Sequence, residues 1–246
     1  MIGIALGHGP IIGAFAILRR MADAELALFA HVARRPDAEL DLARAALMIA
    51  EPEYPSLDVA RYIEALDELG AEARIMVQAS PGRPPIAQVL KLIYDELGFH
   101  GNADDYYDPR NSFLNEVIDR RMGIPITLAV LVLEIARRAG VEARGVSFPG
   151  HFLVRVEPRQ FVDPFDGRIL NAQGLRQLAA RATGQAQDPD PRLLEPVPKK
   201  QILLRMLNNL RAIWANRGDQ ERLARAVARM ELLATSSDSK TPSPIN

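Results

Sequence analysis

The fold is decided by one stretch, residues 120–163, which reads RRMGIPITLAVLVLEIARRAGVEARGVSFPGHFLVRVEPRQFVD. Its first half predicts a helix that begins near Pro125, because proline suits a first helical position, and that ends before Gly140. Residues 128–136 leave almost no polar face, so we expect this helix in the core of the protein. It is too short to span a membrane, and Glu134 interrupts its apolar run.

The second half of the stretch predicts a small antiparallel sheet. A hairpin centred on Glu157 places Leu153 opposite Phe161 and His151 opposite Asp163, and directly opposed residues point to the same side of a sheet. An imidazole and a carboxylate are then neighbours, whereas a one-residue slip would put them on opposite faces. The three predicted strands, bounded by turn residues, are 143–148, 151–156 and 160–162.

This stretch and its flanks resemble the transglutaminase-like branch of the papain fold, and in particular the bacterial SirB-type family. The resemblance spans roughly residues 40–233 and implies an α+β fold. In that fold a buried central helix packs on a small antiparallel sheet, N-terminal helices precede it, and a tetratricopeptide-like helical hairpin follows. Four blocks carry the resemblance: NSFL at 111–114, RMGIPITL at 121–128, PGHFLV at 149–154 and VDPFDG at 162–167.

The resemblance also implies a catalytic arrangement that this chain lacks in part. In catalytic members a cysteine at the helix N-terminus attacks, a histidine is its base and an aspartate orients the histidine. By position, His151 matches the base, Asp163 matches the orienting acid, and Pro125 occupies the nucleophile position. The sequence contains no cysteine, so thiol chemistry is excluded. Thr127 is a weak candidate for a replacement hydroxyl nucleophile, and its alternative role is to satisfy a backbone group in the first turn.

The rest of the chain predicts helices around this core. Gly70 is expected to interrupt the helix that begins after Asp58. The segment 98–112 is interpreted as a solvated loop in which Asp108 caps the next helix. Most arginines of the last two helices are expected on a solvated face, with a basic interaction surface as the alternative. The predicted divisions are an apolar arm at 1–22, a helical unit at 23–82, the core at 86–182, a Pro-rich linker at 183–198, the hairpin at 199–234 and a disordered tail at 235–246.

Composition narrows the functional classes. The 246 residues carry a net charge of −1, so nothing global favours nucleic acid or an anionic membrane. The absence of cysteine fits a cytoplasmic location. The apolar residues 1–18 carry no preceding positive charge and contain proline and glycines, which argues against a secretory signal or a membrane anchor. The acids at 104, 105 and 108 do not have the spacing of a calcium loop, and no metal or other cofactor is expected.

Three functions remain open at this point. The first is a non-catalytic pseudoenzyme that binds a protein partner through its cleft and its helical hairpin, as a binding or regulatory module. The second is a hydrolase or acyltransferase in which His151 activates a hydroxyl or a water. In the third, His151 and Asp163 only tie two strands together, because such a pair is an ordinary polar contact. Fold analogy alone does not decide between them.

Overall fold

The computed structural model describes residues 24–156, 160–184 and 188–235. The predicted arm at 1–22 lies outside the described residues, and so does the predicted tail beyond residue 235. The described chain combines many helices with a small antiparallel sheet, which is the α+β class that the sequence predicts.

Helices make up most of the described chain. A π-helical turn at Lys91–Glu96 continues one of them, and short 3-10 turns occur at Asp37–Glu39, Pro109–Ser112 and Pro191–Leu194. In chain order the helices are α1 at 24–33, α2 at Leu42–Met48, α3 at Val59–Gln78, α4 at Pro85–Leu90, α5 at Leu114–Arg120, α6 at Pro125–Ala139, α7 at Ala172–Thr183, α8 at Lys199–Arg217 and α9 at Gln220–Thr235.

Helix α6 lies in the hydrophobic core, as the sequence predicts. From its first residue to Ala136 every side chain is buried, including Glu134. Arg137 donates to the Glu134 carboxylate at 3.0 Å and Arg138 donates to it as well, so the buried charge is compensated. Gly140 ends the helix at φ 80°, a left-handed conformation that glycine adopts without steric cost.

The strands of the described residues form two sheets, and α6 packs against the larger one. The larger sheet has the order β3-β4-β5-β6 with antiparallel neighbours, and a two-residue parallel bridge joins β1 to β2. Strand β6 and the bridge were not predicted, because two or three residues carry too little pattern. The strands are β1 at His100–Gly101, β2 at Met122–Gly123, β3 at Ala143–Val146, β4 at Leu153–Val156, β5 at Gln160–Asp163 and β6 at Arg168–Leu170.

Helix α3 runs without a break through Gly70, so the predicted interruption is wrong. A Cβ at this position would lie 2.2 Å from the Cβ of Arg138. The glycine therefore permits close packing of α3 on α6 rather than a turn. Arg138 also donates to Asp67 of α3 at 2.6 Å, and Arg74 donates to the Arg138 carbonyl at 3.1 Å.

Helices α8 and α9 form the predicted hairpin, and Asp219 caps α9 by accepting the Arg222 N–H at 3.0 Å. The prediction that the arginines of these helices lie on a solvated face is wrong for some of them. Arg229 is only 4% exposed and lies over the Phe29 ring at 5.7 Å. Arg222 Nε donates to Glu53 at 2.6 Å. These arginines attach α9 to α1 and to the turn that follows α2.

One hydrophobic cluster joins the N-terminal helices, α6 and the C-terminal hairpin, from Phe29 to Leu233. A smaller cluster, which includes Leu153 and Phe161, packs the sheet against Ala179 of α7. The predicted domain boundaries stay a prediction. Within the described ranges, no helix is both long enough and apolar enough to cross a membrane.

Candidate functional site

The side chains of His151 and Asp163 are hydrogen-bonded to each other. His151 Nε2 lies 2.7 Å from Asp163 Oδ1. Because a carboxylate only accepts, Nε2 carries a proton, and Nδ1 of the neutral imidazole is left as an acceptor. Asp163 is 4% exposed, and its Oδ1 also accepts the Phe165 N–H at 2.9 Å. Two donors therefore compensate the burial of this carboxylate.

The strand register that brings the pair together differs from the predicted one. Phe161 pairs with Arg155, whereas the prediction placed it opposite Leu153. The partner has moved by two residues, and side chains alternate with a period of two. His151 and Asp163 therefore remain on the same face even though the predicted register is wrong. His151 precedes β4, which begins at Leu153.

Two distant elements hold the chain immediately after Asp163. The Tyr94 hydroxyl donates to the Pro164 carbonyl at 2.5 Å, and the Gly101 N–H donates to the Phe165 carbonyl at 2.7 Å. A Cβ on Gly101 would lie 2.3 Å from the Phe165 ring, so glycine allows this approach. Burial raises the pKa of the Tyr94 hydroxyl, which keeps it protonated as a donor. The acid of the pair is thus held in a fixed position.

The first turn of α6 is closed to solvent. Pro125, at the nucleophile position, is buried. Thr127 is fully buried, and its Oγ1 donates to the Asn111 carbonyl, with the Ile124 carbonyl 3.4 Å away. A hydroxyl that already donates its proton to a carbonyl inside the protein is poorly placed to act as a nucleophile. The geometry of Thr127 favours the backbone-satisfying role.

Asn111 connects α6 to the loop at residues 102–108. Its Nδ2 donates to the Asp105 carbonyl at 2.7 Å, and its Oδ1 accepts from Asn102 at 3.1 Å. Asn111 is fully buried, so the interpretation of this segment as a solvated loop is wrong at both asparagines. Buried amides hold the backbone because each can satisfy several backbone groups.

Asp108 caps the turn that begins at Pro109, as predicted, by accepting the Arg110 N–H at 3.0 Å. Burial by itself would raise the pKa of Asp108, but the hydrogen bonds and the charge of Arg110 outweigh it and lower that pKa. Arg120 adds an ion pair at 3.3 Å. In the part of the chain that the structure describes, no group of three or more His, Asp or Glu side chains is placed to hold a metal ion.

The structure adds Arg205 of α8, which sequence reasoning had counted with the solvated arginines. Its Nη1 donates to Ser147 Oγ at 2.8 Å, and its Nη2 donates to the carbonyls of Phe148 at 3.3 Å and His151 at 3.1 Å. Arg205 therefore fixes the segment that carries the imidazole. The sequence does not predict this contact, because the pattern of apolar residues in α8 does not show whether an arginine at its edge points to solvent or to a neighbouring element.

Comparison with known proteins identifies the family of the chain. The family model described as the transglutaminase-like superfamily matches residues 60–208, well over half of the chain. The chain belongs to the transglutaminase-like superfamily. The match includes the buried helix, the sheet and both members of the His151–Asp163 pair. No solved structure matches the chain.

Several curated proteins are similar to this member of the superfamily. A UPF0162 protein of Xylella fastidiosa is 42% identical over 214 residues, which cover 83% of this chain and 76% of that protein. A UPF0162 protein of Pseudomonas aeruginosa is 33% identical over 179 residues, 72% of this chain and 66% of the relative. The human F-box only protein 21 is 36% identical over 133 residues, 52% of this chain but 21% of its own length.

Proposed function

We propose that this chain is a transglutaminase-like pseudoenzyme of the SirB type, a cytoplasmic binding or regulatory module for a protein partner. The single observation that carries the proposal is the lost nucleophile. The sequence has no cysteine, and the helix start that would present one holds a buried proline, Pro125. A thiolate at a helix N-terminus beside an imidazole is what makes such a site reactive, and neither the thiol nor access to its position is present.

The retained parts of the site support a binding role. The His151–Asp163 pair is intact, and its supports come from Tyr94, Gly101 and Arg205 on three separate elements. A site that keeps its shape without its reacting atom is suited to recognition, because pre-ordered side chains lower the entropic cost of binding.

The C-terminal hairpin is the second element of the proposal. We interpret α8 and α9 as one tetratricopeptide-like unit, and a single unit must bury its apolar face elsewhere. One face of α8 does so, since Leu203, Met206 and Leu207 are in the main core. The hairpin would then contribute its outer face to a partner-binding surface.

An activity assay tests the non-catalytic part. Purified wild-type protein and His151→Ala are incubated with peptide amides, with acyl esters and with a glutamine peptide plus a primary amine. His100→Ala is the matched control, because the His100 side chain is exposed and, within the described residues, its ring is hydrogen-bonded only to the Gly98 carbonyl of its own loop. We expect no turnover above background from any of the three proteins. Turnover in the wild type and in His100→Ala that disappears in His151→Ala would refute the proposal.

The second candidate is a hydrolase in which His151 activates a water. The observation that favours it is the imidazole itself: among the described residues nothing is hydrogen-bonded to Nδ1, and 17% of the side chain is exposed. An acceptor nitrogen oriented by a buried carboxylate is the arrangement of a general base. The assay above separates the two candidates, because only the second predicts turnover that depends on His151.

A purely structural role for the pair is tested by stability and binding together. Asp163→Asn removes a charge-assisted hydrogen bond of the kind that contributes about 1.5–3 kcal/mol. If this variant lowers Tm but retains full partner binding, the pair serves the fold alone. If partner binding falls at temperatures where the variant is folded, the pair belongs to the binding site.

A further inference from the structure

Arg205 carries a positive charge that no carboxylate of the described residues neutralises. Its three hydrogen bonds go to neutral oxygens, on Ser147, Phe148 and His151. Arg138 differs: it is also drawn into the fold, but it pairs with both Glu134 and Asp67. A partly buried cation without a counter-charge is costly to the folded protein.

The guanidinium of Arg205 retains donors for a ligand. A guanidinium has five N–H groups, and the three bonds of Arg205 use one on Nη1 and two on Nη2. The N–H of Nε and the second N–H of Nη1 remain. Burial lowers the pKa of Arg205, but an arginine stays charged in a protein. Because its charge is partly shielded from water, an anion that binds the guanidinium would replace part of the lost hydration.

Two exposed tyrosine rings lie near the site that Arg205 supports. Tyr106 is 39% exposed and Tyr107 is 70% exposed, and their rings meet edge to face at 5.4 Å. The centroid of the Tyr106 ring also lies 6.4 Å from that of Phe165, which is two residues after Asp163 in the chain. Tyr106 and Arg205 are within range of electrostatic interaction. Tyrosine and arginine are the residue types enriched among the dominant contacts of protein interfaces. The tyrosines are linked to the His151–Asp163 pair through Phe165, whose N–H donates to Asp163, and Arg205 is linked to the same pair through the His151 carbonyl.

We propose that Arg205, Tyr106 and Tyr107 form a docking site for a partner's peptide segment that carries a glutamate or aspartate beside an apolar residue. This inference rests on the proposed function, since it names the chemistry of the partner. The carboxylate accepts from the free donors of Arg205 and supplies the missing counter-charge. The apolar neighbour packs on the tyrosine rings, which lose exposed apolar area on binding.

A carboxylate fits this site better than a phosphate group. Arg205 supplies a single guanidinium, and the carbonyl oxygens of Phe148 and His151 already lie against it. The Asp163 carboxylate is bonded to the His151 ring close by. These oxygens repel a doubly charged group more strongly than a singly charged one, and phosphate sites in proteins gather several cationic or N–H donors.

Binding of short labelled peptides tests the inference. Three pentapeptides have the same leucines around a central glutamate, glutamine or phosphoserine, and their affinities are measured by fluorescence anisotropy up to about 1 mM. We expect the glutamate peptide to bind wild-type protein at least about tenfold more tightly than the glutamine peptide, from one charge-assisted bond. Equal affinity for these two, tighter binding of the phosphoserine peptide, or no binding of any peptide would each overturn the inference.

Variants assign the effect to the site. Arg205→Gln should abolish the preference for glutamate over glutamine, whereas Arg211→Gln, an exposed control on the same helix that contacts Asn208, should keep it. Tyr107→Ala should weaken both peptides about threefold to tenfold without unfolding the protein, because its ring is exposed. A preference that survives Arg205→Gln in folded protein would overturn the inference. Turnover assays on the same samples bear on the non-catalytic proposal alone, so the two failures are distinguishable.

Discussion

Replacing Thr127 by valine should destabilise the protein without affecting any turnover. Valine keeps the shape of the side chain but removes the hydroxyl that donates to the Asn111 carbonyl. Both residues are fully buried, so water does not replace the lost donor. An acceptor left unsatisfied in the interior costs about 1–3 kcal/mol. For a protein of this size each kcal/mol lowers Tm by roughly 2–4 °C.

Thr127→Ser is the matched control for this prediction. Serine keeps the donor and loses one methyl group, which costs about 0.8 kcal/mol in buried apolar area. Urea and thermal unfolding should therefore rank wild type above Thr127→Ser and Thr127→Ser above Thr127→Val. A valine variant as stable as wild type would show that the hydroxyl does not support the loop. Turnover retained by serine and abolished by valine would show instead that Thr127 is a nucleophile.

Three further predictions concern other positions. Gly70→Ala should lower the free energy of unfolding by about 1–3 kcal/mol, because its Cβ would overlap Arg138. Gly174→Ala should be neutral or stabilising, because the tightest contact of its Cβ would be with the flexible end of Leu170 at 3.1 Å and the others are ordinary van der Waals contacts. Equal effects of the two substitutions in urea titrations would contradict the packing argument. A Pro125→Cys thiol should react with iodoacetamide more slowly than free cysteine, since the position is buried, and a faster reaction would show an open cleft. Burial and the hydrogen bond to Asp119 raise the pKa of Tyr62 to about 12. The stability that its neutral hydroxyl contributes is therefore complete below about pH 10 and is lost as the pH rises from about 10 to about 12. Tyr62→Phe should lose less stability than wild type over that range, and identical alkaline unfolding curves for the two proteins would refute the assignment.

The central helix and the His151–Asp163 neighbourhood were predictable because local rules decide them. A run of apolar residues bounded by Pro125 and Gly140 has few alternatives to a buried helix. The pairing of His151 with Asp163 survived an error in register because the observed shift was by two residues, which preserves the face. The short strand β6 was missed, since three residues give no usable periodicity.

The sequence by itself determined what this protein lacks and where its core helix lies: the absence of cysteine and the proline at the helix start are properties of the chain and need no coordinates. Only the tertiary structure decided which polar groups face inward. It placed Gly70 against Arg138, gave the Thr127 hydroxyl to Asn111, and turned Arg205 toward His151 without a carboxylate partner. The physical reason is that a polar side chain takes its partner from whichever element packs against it. That element can be more than a hundred residues away in the chain, as Glu53 is from Arg222. Helical periodicity describes only one element at a time, so it does not identify such a partner.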